Sequence, residues 1–154
     1  MLRYISFDIV FQEIPGEVTL AVSLTGCPNR CKGCHSPHLQ EDTGETVDET
    51  VLAGWLAKYG SAITCVCFMG GDAEPREVCR LAGFVRRQKG GNIKTGWYSG
   101  KDALPAGVSL TNFDYIKLGA YVERLGGLNA PTTNQRFYRI EDGKMTDDTG
   151  KFQK

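Results

Sequence analysis

Residues 4–14 and 18–24 (the latter within Glu17-Val-Thr-Leu-Ala-Val-Ser-Leu) are rich in apolar and β-branched residues, and Pro15-Gly16 between them marks a turn. The pattern predicts a strand pair whose second member runs straight into Gly26-Cys27. From Thr46 to Tyr59 the period changes. Val47, Val51, Trp55 and Leu56 recur at roughly helical spacing, Thr46 stands as N-cap with Glu49 three residues on, and Gly60 ends the run. Ala62 to Met69 is a near-continuous apolar run of strand length, as expected of a parallel strand covered on both faces, and it leads into Gly70-Gly71-Asp72. A second helix is predicted over about Glu74 to Gln88, with Val78, Leu81, Ala82 and Val85 on one face and Arg80, Arg86 and Arg87 elsewhere. Short strands follow at Ile93–Tyr98, Phe113–Leu118 and Arg136–Ile140. From Glu141 onward the chain is polar and is expected to fray as a flexible tail, about 141–154.

Strands alternating with helices imply βαβ units with right-handed crossovers. The expected fold is therefore α/β: a partial (β/α) barrel with a mainly parallel curved sheet, because 154 residues are too few for eight βα units. In such sheets chemistry gathers at the C-terminal ends of the strands. The cysteine-rich segment, Gly70-Gly71-Asp72 and Tyr98-Ser99-Gly100 all follow predicted strands, so they are expected to share one edge.

Composition narrows the class. A hydrophobic content of 41% with 23% charged residues suits one globular domain spanning residues 1–154. Eighteen Lys and Arg balance eighteen Asp and Glu, which argues against a nucleic-acid footprint or a polybasic membrane patch. The first residues mix charge into the apolar positions too early for a signal peptide, and no apolar run approaches membrane-span length, so a cytoplasmic location is expected. In a reducing compartment the six cysteines read as thiols or metal ligands rather than disulfides.

Three of those cysteines fall within eight residues, in Gly26-Cys27-Pro-Asn-Arg-Cys31-Lys-Gly-Cys34-His35, with spacing C-x3-C-x2-C. A run that short folds around one metal centre. Structural zinc wants four protein ligands, usually as two separated pairs, and no second pair with that spacing is present, so a zinc-binding interaction module is the weaker reading. A [4Fe-4S] cluster held by three thiolates keeps one iron open to a chelating substrate. Gly26 and Gly33 let the loop curl and Pro28 restricts it. Arg30 and Lys32 either offset the cluster's negative charge or are simply solvated.

This spacing after a strand resembles the signature of the radical S-adenosylmethionine (SAM) superfamily. The resemblance implies that Cys27, Cys31 and Cys34 ligate the cluster as metal-binding and catalytic residues. It further implies that SAM chelates the open iron and is cleaved reductively to a 5'-deoxyadenosyl radical. Met69-Gly70-Gly71-Asp72 resembles the superfamily's second element, in which glycines admit the ligand to the backbone and the acid binds the SAM amino group. Ser99 either bonds the SAM carboxylate or closes a turn with Gly100.

Most of the chain is further similar to the activating proteins of anaerobic ribonucleoside-triphosphate reductase. Thr25-Gly26-Cys27, Cys31-Lys32-Gly33-Cys34, Trp97-Tyr98-Ser99-Gly100, Phe113 to Gly119 and Thr133-Asn134-Gln135-Arg136 carry this likeness. It implies a glycyl-radical activase whose protein substrate is that reductase and whose electron comes from a low-potential donor such as a flavodoxin or ferredoxin. Two positions depart from the pattern: Leu118 stands where an aspartate is common, and Thr132-Thr133 where Gly-Ser is usual. An enzyme acting on another glycyl-radical protein, a peptide or a small molecule is the nearest alternative.

Cys65 and Cys67 point to the same face of a buried strand and Cys79 lies on a helix, so all three read as core thiols rather than auxiliary ligands. His35 and His38 flank the third cysteine and are read as structural or solvated. Trp97 and Tyr98 read as packing residues, and Arg136 either reaches the cleft or is a surface charge.

Overall fold

A computed structural model describes residues 2–11, 14–25, 45–88, 93–120 and 122–152. Its strands are β1 (Arg3–Val10), β2 (Thr19–Leu24), β3 (Glu45–Thr46), β4 (Cys65–Met69), β5 (Lys94–Tyr98), β6 (Tyr115–Leu118), β7 (Arg136–Glu141) and β8 (Lys144–Asp147). Its α-helices are α1 (Glu49–Tyr59) and α2 (Pro75–Arg86). The strands form one sheet in the order β3-β1-β2-β4-β5-β6-β7-β8.

The sheet departs from the expected barrel. Only the pairings β2·β4, β4·β5 and β5·β6 are parallel, whereas β1·β2, β1·β3, β6·β7 and β7·β8 are antiparallel. The result is a mixed eight-stranded sheet with two α-helices among the described residues, not a helix-rich, mainly parallel (β/α) barrel. The cause lies in the connections. A parallel neighbour usually needs a helical crossover, and between β6 and β7 the helix breakers Gly119, Gly126-Gly127 and Pro131 interrupt the stretch too often for one to form. The chain instead turns back, and β7 pairs antiparallel to β6. The segment from Glu141, expected as a frayed tail, contributes β8 through a tight hairpin. Asp142 and Gly143 take φ of 52° and 73° there, the left-handed values of a two-residue turn.

Local chemistry accounts for the element ends. The first strand stops at Val10, short of the expected residue 14, and Gly16 takes φ 85° in the turn leading to β2. Thr46 belongs to β3, so the cap of α1 is Asp48, whose side chain accepts from Val51 N at 3.0 Å. In α2, Pro75 occupies the first turn, where a missing N–H costs nothing.

The helices cover one face of the sheet. Val78, Leu81, Ala82 and Val85 of α2 are buried against Val66, Phe68, Trp97 and Ile116, as the spacing predicted. Leu52 is the deepest residue of α1, and Trp55 packs edge-on against Tyr4 at 4.9 Å between centroids. A salt bridge from Arg80 to both Glu49 and Glu77 ties the helices together at the surface. On the other face Ile14, Cys65, Cys67, Tyr98, Tyr115 and Phe137 form a second, smaller core. Cys65, Cys67 and Cys79 are all buried, in keeping with core thiols. No helix among the described residues is long and apolar enough to cross a membrane.

Candidate functional site

The three parallel pairings run level. Ser23 pairs with Met69, Met69 with Tyr98, and Tyr98 with Lys117, so β2, β4, β5 and β6 finish together along one edge. Gly70-Gly71-Asp72 leaves β4 there, Ser99-Gly100 leaves β5, and Gly119 follows β6. Thr25, at the end of β2, is held by its N–H to the Arg3 carbonyl at 2.9 Å.

Gly70 and Gly71 have φ of 98° and 82°, values that side chains rarely tolerate. Space excludes side chains too: a Cβ on Gly71 would lie 2.6 Å from Val78 Cγ2 and 2.8 Å from Leu24 Cδ1. The two glycines thus let the turn press against the last residue of β2. The turn is pinned from the core side, where the Trp97 indole N–H donates to the Gly70 carbonyl at 2.7 Å and the Gly70 N–H donates to the Tyr98 carbonyl at 2.9 Å. Trp97 is fully buried and stacks on Phe113 with centroids 5.8 Å apart, so it packs as expected.

Asp72 and Ser99 are brought together. Both are buried; the Ser99 hydroxyl donates to Asp72 Oδ1, and the Gly100 N–H donates to Oδ2 at 2.9 Å. The Lys101 N–H donates to Ser99 Oγ at 3.1 Å. Lys117 extends the lacing, donating from Nζ to the carbonyls of Ser99 at 3.0 Å and Gly119 at 3.2 Å. Gln135, also buried, donates to the same Gly119 carbonyl at 3.3 Å. Leu118 is buried among apolar neighbours, so at that strand end the ordering comes from Lys117 and the backbone. Arg136 starts β7 at this edge, but its side chain is about half exposed and pairs with Asp147 at 3.7 Å.

Cys27, Cys31 and Cys34 lie outside the described residues, as do Gly26, Pro28, Arg30, Lys32, Gly33, His35 and His38. Among the described residues no group of three or more His, Cys, Asp or Glu side chains is arranged to hold a metal.

Sequence reasoning missed a polar cluster at the opposite edge of the sheet. Glu17, buried just before β2, accepts from Tyr115 Oη at 2.5 Å, Thr64 Oγ1 at 2.7 Å and Lys94 Nζ at 3.0 Å. Burial alone would raise the Glu17 carboxyl, but these three hydrogen bonds and the Lys94 charge hold it below its ordinary value. Burial and the Glu17 hydrogen bond push the Tyr115 hydroxyl up. Burial, with the Glu17 and Asp114 charges, pushes the Cys65 thiol up, so it stays protonated and a poor metal ligand. The signal available in sequence was an acidic residue interrupting the approach to an apolar strand. A cleft of about 190 Å³ between Lys94, Asp114, Tyr115, Arg139, Ile140 and Glu141 opens at that end, away from Asp72.

A family model described as a 4Fe-4S single cluster domain matches residues 15–103, a span that includes the C-x3-C-x2-C segment, Gly70-Gly71-Asp72 and Ser99. The match covers more than half of the chain and defines the class as iron-sulfur proteins. The chain belongs to this 4Fe-4S single cluster domain family. Neither a curated protein nor a solved structure matches it.

Proposed function

We propose that the chain is a radical SAM activase that generates a glycyl radical on anaerobic ribonucleoside-triphosphate reductase. The observation that carries this reading is the meeting of Gly70-Gly71-Asp72 with Ser99 on the edge where β2 ends at Leu24, three positions before Cys27. The donor set fits a cluster. Three closely spaced thiols suit three irons of a cubane, while Cys65, Cys67 and Cys79 are buried in the core. Membership of an iron-sulfur family favours iron over the zinc alternative.

In this reading Cys27, Cys31 and Cys34 hold the [4Fe-4S] cluster, and Gly70 and Gly71 admit SAM to the backbone beside Asp72 and Ser99. Cluster and SAM together supply one-electron cleavage of a sulfonium bond and hydrogen-atom abstraction from a glycine of the partner. The residues described here order the receiving edge. Trp97 fixes the turn after β4 from beneath, and Lys117 holds the turns after β5 and β6 at a common height. A flavodoxin or ferredoxin is the expected electron donor, and the cytoplasm is the reducing compartment such a cluster requires.

The test is anaerobic incubation of reconstituted protein with reductant, SAM and the reductase. The expected result is release of 5'-deoxyadenosine together with a glycyl-radical signal on the reductase. SAM cleavage without that signal would move the assignment to another glycyl-radical protein or a peptide.

A further inference from the structure

The Asp72 carboxylate is only 6% exposed, and both of its oxygens take hydrogens from the turn after β5: the Ser99 hydroxyl on Oδ1 and the Gly100 N–H on Oδ2 at 2.9 Å. That turn is in turn committed elsewhere. Ser99 is fully buried, its N–H donates to the Lys117 carbonyl at 2.9 Å, and its own carbonyl receives the Lys117 ammonium at 3.0 Å. The Gly119 N–H closes the circuit by donating to the Lys101 carbonyl at 2.7 Å. Three successive turns, after β4, β5 and β6, are therefore laced by a circuit that begins at one carboxylate.

A surface carboxylate that waits for an ammonium ligand faces the ligand's approach. Asp72 is instead buried, and each of its two oxygens accepts from the neighbouring turn; hydrogen bonds to an ionised group are the strong ones. We infer that Asp72 is a positioning residue: it fixes Ser99, Gly100 and, through them, Lys117, and acts on the bound cofactor only through that turn rather than by gripping its amino group. The inference rests on the reading that this edge takes SAM. It assigns the acid of the Gly-Gly-acid element a different task from the one that the resemblance implies.

Asp72→Asn discriminates the two roles because it keeps size but removes the charge: the amide oxygen can still accept from the Gly100 N–H, whereas its N–H end then faces Ser99 Oγ and the Ser99 hydroxyl hydrogen loses its carboxylate acceptor. SAM and its desamino analogue, which keeps the carboxylate and sulfonium, serve as probes, with Kd measured by calorimetry on anaerobically reconstituted full-length protein. Positioning predicts that Asp72→Asn weakens both ligands by the same factor, roughly tenfold, the scale of one lost charge-assisted hydrogen bond. Ser99→Ala should do likewise, and the double variant should be little worse than Asp72→Asn alone. A loss confined to SAM, with the analogue unaffected, would overturn the inference. Hydrogen exchange over residues 99–101 of the anaerobically purified protein gives a readout independent of ligand. Exchange there accelerates in Asp72→Asn if the carboxylate holds the turn, and unchanged exchange overturns the inference. If the unaltered protein binds neither ligand, the SAM reading fails and the exchange measurement alone decides the positioning role. Should Asp72→Asn not fold, Asp72→Glu, which keeps the charge but displaces both oxygens from their partners in the turn, is read by the same criteria.

Discussion

Tyr115 donates its phenolic hydrogen to Glu17 across 2.5 Å, although 98 positions separate them in the chain. The bond closes the far end of the sheet, opposite the candidate site, and places a carboxylate with 7% exposure among Thr64, Lys94 and Tyr115. Tyr115→Phe keeps the ring stacked on Phe137 but leaves a buried acceptor short of one donor. Urea unfolding should show a loss of about 1.5–3 kcal/mol, the range for a hydrogen bond to a charged group.

The same cluster sets an acid limb of stability. The Glu17 carboxyl lies below its ordinary value of 4.5 in the folded protein, so the unfolded chain binds more protons and stability rises with pH. The contribution is complete above about 4.5 and is lost as pH falls through the lowered folded value. Glu17→Gln should therefore flatten the fall of unfolding free energy with acid, measured by denaturant titration at a series of pH values. An acid limb identical to that of the unaltered protein would assign the effect to other carboxylates.

Two glycines should respond in opposite directions. Gly71→Ala forces a side chain into φ 82° with a methyl 2.6 Å from Val78 Cγ2, and should cost on the order of 2–4 kcal/mol. Gly54 sits exposed on α1 with open space around it, so Gly54→Ala should stabilise by about 0.5–1 kcal/mol. Thermal unfolding of the pair checks both signs.

The core thiols should be dispensable for metal. Cys67 is fully buried beside Met69, with its sulfur 3.7 Å from Sδ, so Cys67→Ala should lower stability by about 1 kcal/mol. Iron content after anaerobic reconstitution should remain that of the unaltered protein. Native-state alkylation should also spare Cys65, whose thiol is buried and held protonated.

Much of the middle of the sheet was legible because its signals are local. The apolar run through Cys65–Met69 is a strand, the stripe Val78-Leu81-Ala82-Val85 faces the core, and Pro15-Gly16 turns the chain. The direction of the later strands was not legible, since it depends on what bridges them: among the described residues between β6 and β7 there is no α-helix, and β7 runs antiparallel to β6. Asp142-Gly143 is a two-residue hairpin signal, yet polar flanks disguised β8 because an edge strand needs little apolar content. Asp48 outcompeted Thr46 as the cap once Thr46 joined β3.

At the site, glycine and acid types pointed to the turn after β4. Pairing of Asp72 with Ser99 across 27 positions, and of Glu17 with Tyr115, is tertiary information that no spacing rule carries.

The most direct measurement is electron paramagnetic resonance of the reduced, anaerobically reconstituted protein with and without SAM, alongside Cys27→Ala, Cys31→Ala and Cys34→Ala. The account predicts a [4Fe-4S] signal that changes when SAM is added and is lost or severely depleted in each of the three variants. A signal indifferent to SAM, or a full cluster surviving the loss of any one of those thiols, would contradict it.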